Sequence, residues 1–135
     1  MKDFTFNAYR DYLAAIRKSY PHILRFDDYF RLDPKPSSFC LLRHDVDRKP
    51  KNALEMARLE HSLNITATYC FRTKKHTFKP DIISTISSMG HEIAYHYECL
   101  SDTKGDMREA INNFQSNLSK LRKFDPDLNI GAELM

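Results

Sequence analysis

The sequence predicts an α/β fold in which an N-terminal helix precedes the order βαβαβα. Three short apolar runs begin at about residues 38, 65 and 91, at roughly even spacing. Each run is followed by a segment whose apolar residues recur with helical periodicity. Such an alternation indicates a parallel sheet with right-handed crossover connections. We expect one domain over residues 1–135, since the chain shows no linker or low-complexity segment.

The first helix is predicted from residues that share one helical face, namely Tyr9, Tyr12, Leu13, Ile16 and Tyr20. Pro21 ends this helix because proline cannot continue it. Residues 22–37 are irregular, with one short helix expected around residues 27–30. This part of the chain is therefore expected to connect the helix to the sheet.

The first strand is predicted at residues 38–44 and the second at residues 65–72, which are rich in β-branched and aromatic residues. Pro50 is well placed as the first residue of the helix between them. The predicted apolar face of that helix consists of Ala53, Met56, Leu59 and Leu63.

The next helix begins at Pro80 and ends at Gly90, before a third strand at residues 91–97. Asp106 and Glu109 resemble a capping box at the start of a last helix. Its predicted apolar face consists of Met107, Ala110, Ile111, Phe114, Leu118 and Leu121. A fourth strand is expected to begin at about residues 129–131.

Composition and charge argue against several classes of protein. The 21 basic and 18 acidic side chains give a net charge of +3, too small an excess to indicate a nucleic-acid-binding protein. No stretch approaches the roughly 20 apolar residues of a membrane span, and the N-terminus lacks the apolar segment of a signal peptide. We therefore expect a cytoplasmic protein. Cys40, Cys70 and Cys99 form no CxxC pair, which favours free thiols.

Candidate chemical groups follow the ends of the predicted strands. In parallel α/β folds, ligands bind at the carboxyl ends of the strands. Asp45 and Asp47 follow the first strand, Arg72 the second, and His96 and Glu98 the third. Two carboxylates and a histidine on one rim can hold a divalent cation, such as zinc, and activate water. The alternative is that both aspartates only cap the following loop and helix.

Asp45 and Asp47 are two residues apart on extended backbone, so their side chains are expected to point the same way. One carboxylate can then bind the cation while the other accepts a proton from water. His91 is expected to form structural hydrogen bonds, and His44 to lie outside the site. Arg72 fits either an oxygen-binding role or a salt bridge.

Three segments, LLRHDVD (41–47), ITATYCFR (65–72) and GHEIAYHYE (90–98), resemble the polysaccharide deacetylase superfamily, also described as chitooligosaccharide-deacetylase-like. The similarity covers about residues 38–124 in order. It implies part of a distorted (β/α) barrel that binds a divalent metal, usually zinc. It also implies removal of N-acetyl groups from an oligo- or polysaccharide or its precursor. By this resemblance, Asp45 is the general base, Asp47 a metal ligand and His96 the first ligand histidine.

The chain departs from the family pattern in two respects. The second ligand histidine of the family falls at Leu100, which cannot bind a metal, so Glu98 or a later segment would have to replace it. The later motifs of the family, including the histidine that protonates the leaving amine, are not found. The expectation is a fragment, a degenerate copy or half of an assembly, weakly active or inactive alone, with a possible homo-oligomer covering exposed sheet edges.

Two other functions remain open at this point. A hydrophobic strand followed by Asp-x-Asp also opens magnesium-dependent phosphatases, in which the first aspartate, here Asp45, is a nucleophile. That hypothesis leaves His96 unexplained. A binding or assembly module would keep the fold without the chemistry, with the aromatic N-terminal segment covering a partner.

Overall fold

The computed structural model describes residues 5–97, 103–124 and 131–132. Within these residues, helices and strands alternate as the α/β prediction requires. The helices are α1 (Phe6–Ser19), α2 (Phe26–Arg31), α3 (Pro50–Ser62), α4 (Pro80–Ser88) and α5 (Met107–Phe124). The strands are β1 (Ile23–Leu24), β2 (Cys40–Leu41), β3 (Arg43–Val46), β4 (Thr68–Phe71), β5 (Glu92–Tyr95) and β6 (Gly131–Ala132).

The main sheet contains β3, β4, β5 and β6 in sequence order, and every neighbouring pair is parallel. The register aligns Asp45 with Cys70, and Cys70 with Ala94. A separate two-stranded parallel ladder joins β1 to β2. The predicted α/β class is confirmed, and the expected fourth strand is present as β6.

The ends of the helices are determined by local chemistry, as the sequence predicted. Pro50 and Pro80 stand at the first positions of α3 and α4, where a missing N–H is not needed. Gly90 follows α4 with a φ of +91°, a conformation that favours glycine. The Asp106 Oδ1 accepts a hydrogen bond of 3.1 Å from the Glu109 N–H, which caps α5.

Helices α3, α4 and α5 all contribute to one core on a single face of the sheet, which we call the helix-covered face. Alternate strand residues point into this core because side chains of a strand alternate between faces. Its buried members include Val46, Tyr69, Phe71, Ile93 and Tyr95 from the strands, and Ala53, Ala57, Ile83, Ile86, Ala110 and Leu121 from the helices.

The opposite face of the sheet, the polar face, carries Arg43 and Asp45 on β3, Thr68 and Cys70 on β4, and Glu92 and Ala94 on β5. Helix α2 covers the lower end of this face, where the strands begin. The N–H of Phe26 donates to Thr68 Oγ1 at 3.1 Å, and the N–H of Asp27 donates to Glu92 Oε1 at 3.2 Å. The predicted site residues lie at the carboxyl ends of the strands, which we call the upper end of the polar face.

Several predicted boundaries need correction. The first predicted strand is interrupted after Leu41, and β3 then continues through Val46. Asp45 therefore lies inside the strand and not after it. The structure also contains β1, a two-residue strand that the sequence pattern did not predict. The short helix expected around residues 27–30 is present as α2.

Two predicted apolar faces are only partly buried. On α1, Leu13 is fully buried but Tyr12 is 63% exposed, and on α5 Met107 and Ile111 are 63% and 54% exposed. Periodicity identifies the side of a helix that can pack, whereas the neighbouring elements decide how much of it is covered. Among the described residues, no helix combines the length and apolarity that crossing a bilayer would require.

Candidate functional site

The upper end of the polar face brings Asp47 and His96 together. The His96 Nε2 lies 2.8 Å from the Asp47 Oδ1, although the two residues are 49 positions apart in the chain. Parallel pairing of β3, β4 and β5 aligns the carboxyl ends of these strands, which explains the proximity. The sequence-based prediction that these two residues share one rim is confirmed.

Arg72 directly follows β4, which lies between the strands that precede Asp47 and His96. Its Nη1 donates a hydrogen bond of 3.1 Å to the backbone carbonyl of Asp47. This contact ties the turn after β3 to the end of β4. Arg72 therefore helps to hold the Asp47 backbone in place, a structural role that the sequence left open.

Asp45 has a different partner. Its Oδ1 accepts a hydrogen bond of 2.8 Å from the Arg43 Nε, two residues earlier on the same face of β3. The Asp45 side chain is about one-third exposed. Within the described residues, no hydrogen bond joins Asp45 to Asp47 or His96. Asp45 is thus on the predicted face, held by an ion pair that the sequence reading missed.

His96 combines deep burial with an unsatisfied ring nitrogen. Its side chain is 4% exposed, whereas that of Asp47 is 54% exposed. In the part of the chain that the structure describes, the buried His96 Nδ1 has no hydrogen-bond partner. Leaving a buried polar atom unpaired costs stability, and such costs are typical of functional positions.

The donor atoms present match a zinc site in kind but not in number. The distance of 2.8 Å between the His96 nitrogen and the Asp47 oxygen is that of a hydrogen bond. A tetrahedral zinc would hold two such donors about 3.3 Å apart, so a shift of about half an ångström would be needed. Residues 5–97, 103–124 and 131–132 contain no group of three or more His, Cys, Asp or Glu that could hold a metal.

A typical catalytic zinc has three protein ligands, one more than Asp47 and His96 provide. Glu98, which the sequence analysis considered as a substitute ligand, lies outside the described residues, and so does Leu100. The described part of the site therefore fits two ligands of a divalent metal.

A groove of about 610 Å³ runs along the edge of β3 and reaches both aspartates. It lies between β3 and the first half of α3. Its polar lining residues are Arg43, His44, Asp45, Asp47, Arg48, Lys49 and Asn52. This mixture of cations, carboxylates and an amide suits a polar ligand better than an apolar one.

Sequence reasoning missed a buried carboxylate, Glu60 on α3. Its side chain is fully buried, and its Oε2 lies 2.6 Å from the His44 Nε2 and 2.5 Å from the Tyr9 hydroxyl. The Tyr69 hydroxyl donates to its Oε1. These four residues, which we call the Glu60 cluster, come from α1, β3, α3 and β4. Its position in the sequence could have indicated its burial, because Glu60 lies on the same helical face as Ala53 and Ala57.

The Glu60 cluster keeps a carboxylate ionised inside the protein. Burial by itself raises the pKa of Glu60. The hydrogen bonds from His44, Tyr69 and Tyr9 and the charge of His44 lower it by more, so the pKa lies below its ordinary value of 4.5. Burial and the Glu60 charge raise the pKa of Tyr9 and Tyr69 well above the ordinary value of 10. The cluster therefore joins one carboxylate to two protonated tyrosines.

His91 has a purely structural place, as expected. Its Nδ1 accepts a hydrogen bond of 3.1 Å from the Ala67 N–H, so its Nε2 must carry the proton that is donated to the Ala57 carbonyl at 3.0 Å. Burial lowers the pKa of His91 below 6.5. His44 points into the Glu60 cluster, and the described hydrogen bonds of its ring go to Tyr9 and Glu60, not to Asp47 or His96.

The contrast between the two buried histidines gives a testable prediction. We expect His96→Leu to raise the free energy of unfolding of the metal-free protein by about 1 kcal/mol, because it removes an unpaired buried nitrogen. The Asp47 carboxylate, which loses its hydrogen bond to His96, is 54% exposed and can bind water instead. His91→Leu should lower it by about 2 kcal/mol, because the Ala67 N–H loses its acceptor. Urea denaturation measures both effects. Changes of the same sign in the two variants would contradict the assignment of His96 as a functional residue.

Comparisons of the chain with models of known protein families, with curated proteins and with solved structures find no match.

Proposed function

We propose that this chain forms part of a metal-dependent hydrolase that resembles polysaccharide deacetylases and releases acetate from an N-acetylated sugar. The observation that carries the proposal is the distance of 2.8 Å between Asp47 and His96 at the carboxyl ends of parallel strands. Two ligand types suited to zinc, from separate strands, converge at the edge where ligands bind in such folds.

The arrangement of the sheet supports the barrel-like part of this proposal. Strands β3 to β6 follow one another in sequence order, and helices α3, α4 and α5 all contribute to the core on one face. A (β/α) barrel has the same two features, because its strands are arranged in order around an axis and its helices lie outside. The polar face would then be the interior of a partial barrel.

The proposed division of roles follows from position and charge. Asp47 and His96 would hold the divalent metal, most simply zinc. When bound, this ion would polarise the amide carbonyl and make a nearby water more acidic. Asp45 would accept the proton of the attacking water, with Arg43 orienting its carboxylate through their ion pair of 2.8 Å. The groove along β3 would place a polar sugar beside Asp45 and Asp47.

Zinc titration tests this proposal directly. We expect the wild type to bind one zinc ion, with an affinity weaker than that of a three-ligand site. Replacing a residue that only orients a ligand costs about 10- to 100-fold in affinity. Asp47→Ala and His96→Ala remove ligands themselves, so each should weaken binding by at least about 100-fold. Competition with a chromophoric chelator measures the affinity.

Exposed residues of the same types serve as controls. Asp81→Ala and His61→Ala alter an aspartate and a histidine that are solvent-exposed and outside the site, so zinc affinity should stay unchanged. Asp45→Asn should retain zinc while lowering acetate release from N-acetylated chitooligosaccharides by about 10²-fold or more. Absence of zinc binding by the wild type, or equal loss in the control variants, would contradict the proposal.

A further inference from the structure

We propose that a cleft between the start of α1 and strand β3 binds a small aromatic ring that carries a hydroxyl group, such as a phenol. This aromatic cleft has a volume of about 600 Å³. The residues that line it are Thr5, Phe6, Ala8, Tyr9, Tyr12, His44 and Met56. The proposal concerns a site separate from Asp47 and His96 and does not depend on the hydrolase assignment.

The walls of the aromatic cleft are largely apolar and poorly covered. Phe6 is 47% exposed and Tyr12 is 63% exposed, although both lie on the same helix as the fully buried Leu13. Met56 of α3 also lines the cleft and offers a flexible apolar surface. Large side chains that remain exposed around a concave surface mark a binding site more often than an isolated exposed residue does.

His44, a polar residue of the lining, is held in place by two contacts. His44 is held from behind by Glu60, with 2.6 Å between Nε2 and Oε2. Its ring also packs on that of Tyr69, with centroids 4.6 Å apart. A carboxylate that accepts from one ring nitrogen of a histidine determines which way the other nitrogen faces. Because these contacts hold the ring in place, His44 needs little reorganisation to bind a ligand.

The Nδ1 of His44 is the ring nitrogen that the proposed ligand would contact. All described hydrogen bonds of the His44 ring involve Nε2. Since His44 lines the cleft, Nδ1 is the ring nitrogen left for an occupant.

The chemistry of the cleft selects the class of ligand. Aromatic and thioether walls favour a flat ring, which can stack on or meet the edges of Phe6 and Tyr12. A phenolic hydroxyl can donate to a neutral His44 Nδ1 and can accept from a protonated one, so it suits both states of the imidazole. A purely apolar ring would leave this nitrogen without a partner.

Phenol and toluene provide a matched pair of probes, since they have the same size and differ in the hydroxyl. We expect phenol to bind with a dissociation constant on the order of 1 mM, as for a fragment of seven heavy atoms. Toluene should bind about 3- to 10-fold more weakly, because it lacks the hydrogen bond. Both affinities are measured by NMR titration of the full chain, with shifts expected in residues of α1 and at His44.

Two variants locate the site. Ala8→Leu should fill the cleft and abolish phenol binding, whereas Ala15→Leu, on an exposed part of the same helix, should leave it unchanged. His44→Phe should remove the preference for phenol over toluene. Absence of phenol binding, toluene binding as tightly as phenol, or unchanged phenol binding in Ala8→Leu would each overturn the proposal. Because Ala8→Leu leaves the Glu60 cluster intact, the test holds even where His44→Phe disturbs folding.

Discussion

Replacement of Glu60 by alanine is expected to lower the free energy of unfolding by about 3–5 kcal/mol, because it leaves several buried hydrogen-bond donors without their acceptor. The carboxylate is fully buried and accepts hydrogen bonds from Tyr9, Tyr69 and His44. Without it, three donors lose their acceptor inside the protein. Urea denaturation followed by circular dichroism measures the change.

Glu55→Ala is the matched control, since Glu55 lies on the same helix with a side chain that is 55% exposed and an ion pair to Arg58. Its expected effect is within about 0.5 kcal/mol. An equal effect of the two substitutions would show that the Glu60 cluster does not stabilise the fold. Tyr9→Phe should fall between them, because it removes one donor and leaves the carboxylate with two.

The Glu60 cluster makes the stability of the protein depend on pH. The hydrogen bonds and the charge of His44 lower the pKa of Glu60 below 4.5 in the folded protein. The contribution of Glu60 to the free energy of unfolding is therefore complete above the pKa that this residue has in the unfolded chain. It is lost as the pH falls through the lower pKa that the residue has in the folded protein. The stability of the wild type should thus decline more steeply below pH 4.5 than that of Glu60→Ala.

Replacement of Phe71 by alanine is expected to cost about 3–5 kcal/mol, because it leaves a cavity in the core. Phe71 is fully buried on β4 and is aligned with Val46 on β3 and Tyr95 on β5. All three face α3, α4 and α5 in one cluster. Thermal and urea denaturation both measure the loss.

This experiment also tests the register on which the candidate site depends. A slip of β4 by one residue would move Phe71 to the polar face and would turn Arg72, which holds the Asp47 backbone, away from it. Phe30→Ala serves as the control, since Phe30 is 70% exposed and its truncation should change stability by about 0.5 kcal/mol or less. A small effect of Phe71→Ala would contradict the burial of Phe71 on the helix-covered face, and with it the register of β4.

Much of the fold could be predicted because its signals are local. The starts of α3 and α4 at prolines and the end of α4 near Gly90 follow from the chemistry of single residues. The proximity of Asp47 and His96 could also be predicted, because parallel strands joined by helices end at the same edge of a sheet. Neither inference required knowledge of which side chains touch.

The partner of Asp45 could not be predicted from the sequence pattern. Its ion pair with Arg43 depends on where β3 ends, and the sequence pattern ended the strand too early. Two aspartates that looked equivalent in sequence therefore have different surroundings. One lies in the strand beside a cation, and the other lies in the turn beside a buried histidine.

Local signals in the sequence were enough to predict the helices, the order of the strands in the main parallel sheet and the edge on which Asp47 and His96 meet, since periodicity and connection lengths are properties of neighbouring residues. Only the tertiary structure showed that Glu60 is buried with Tyr9, His44 and Tyr69, and that Phe6 and Tyr12 remain exposed beside a cleft. Burial depends on what other elements cover a side chain, and for the Glu60 cluster those elements come from four separate parts of the chain.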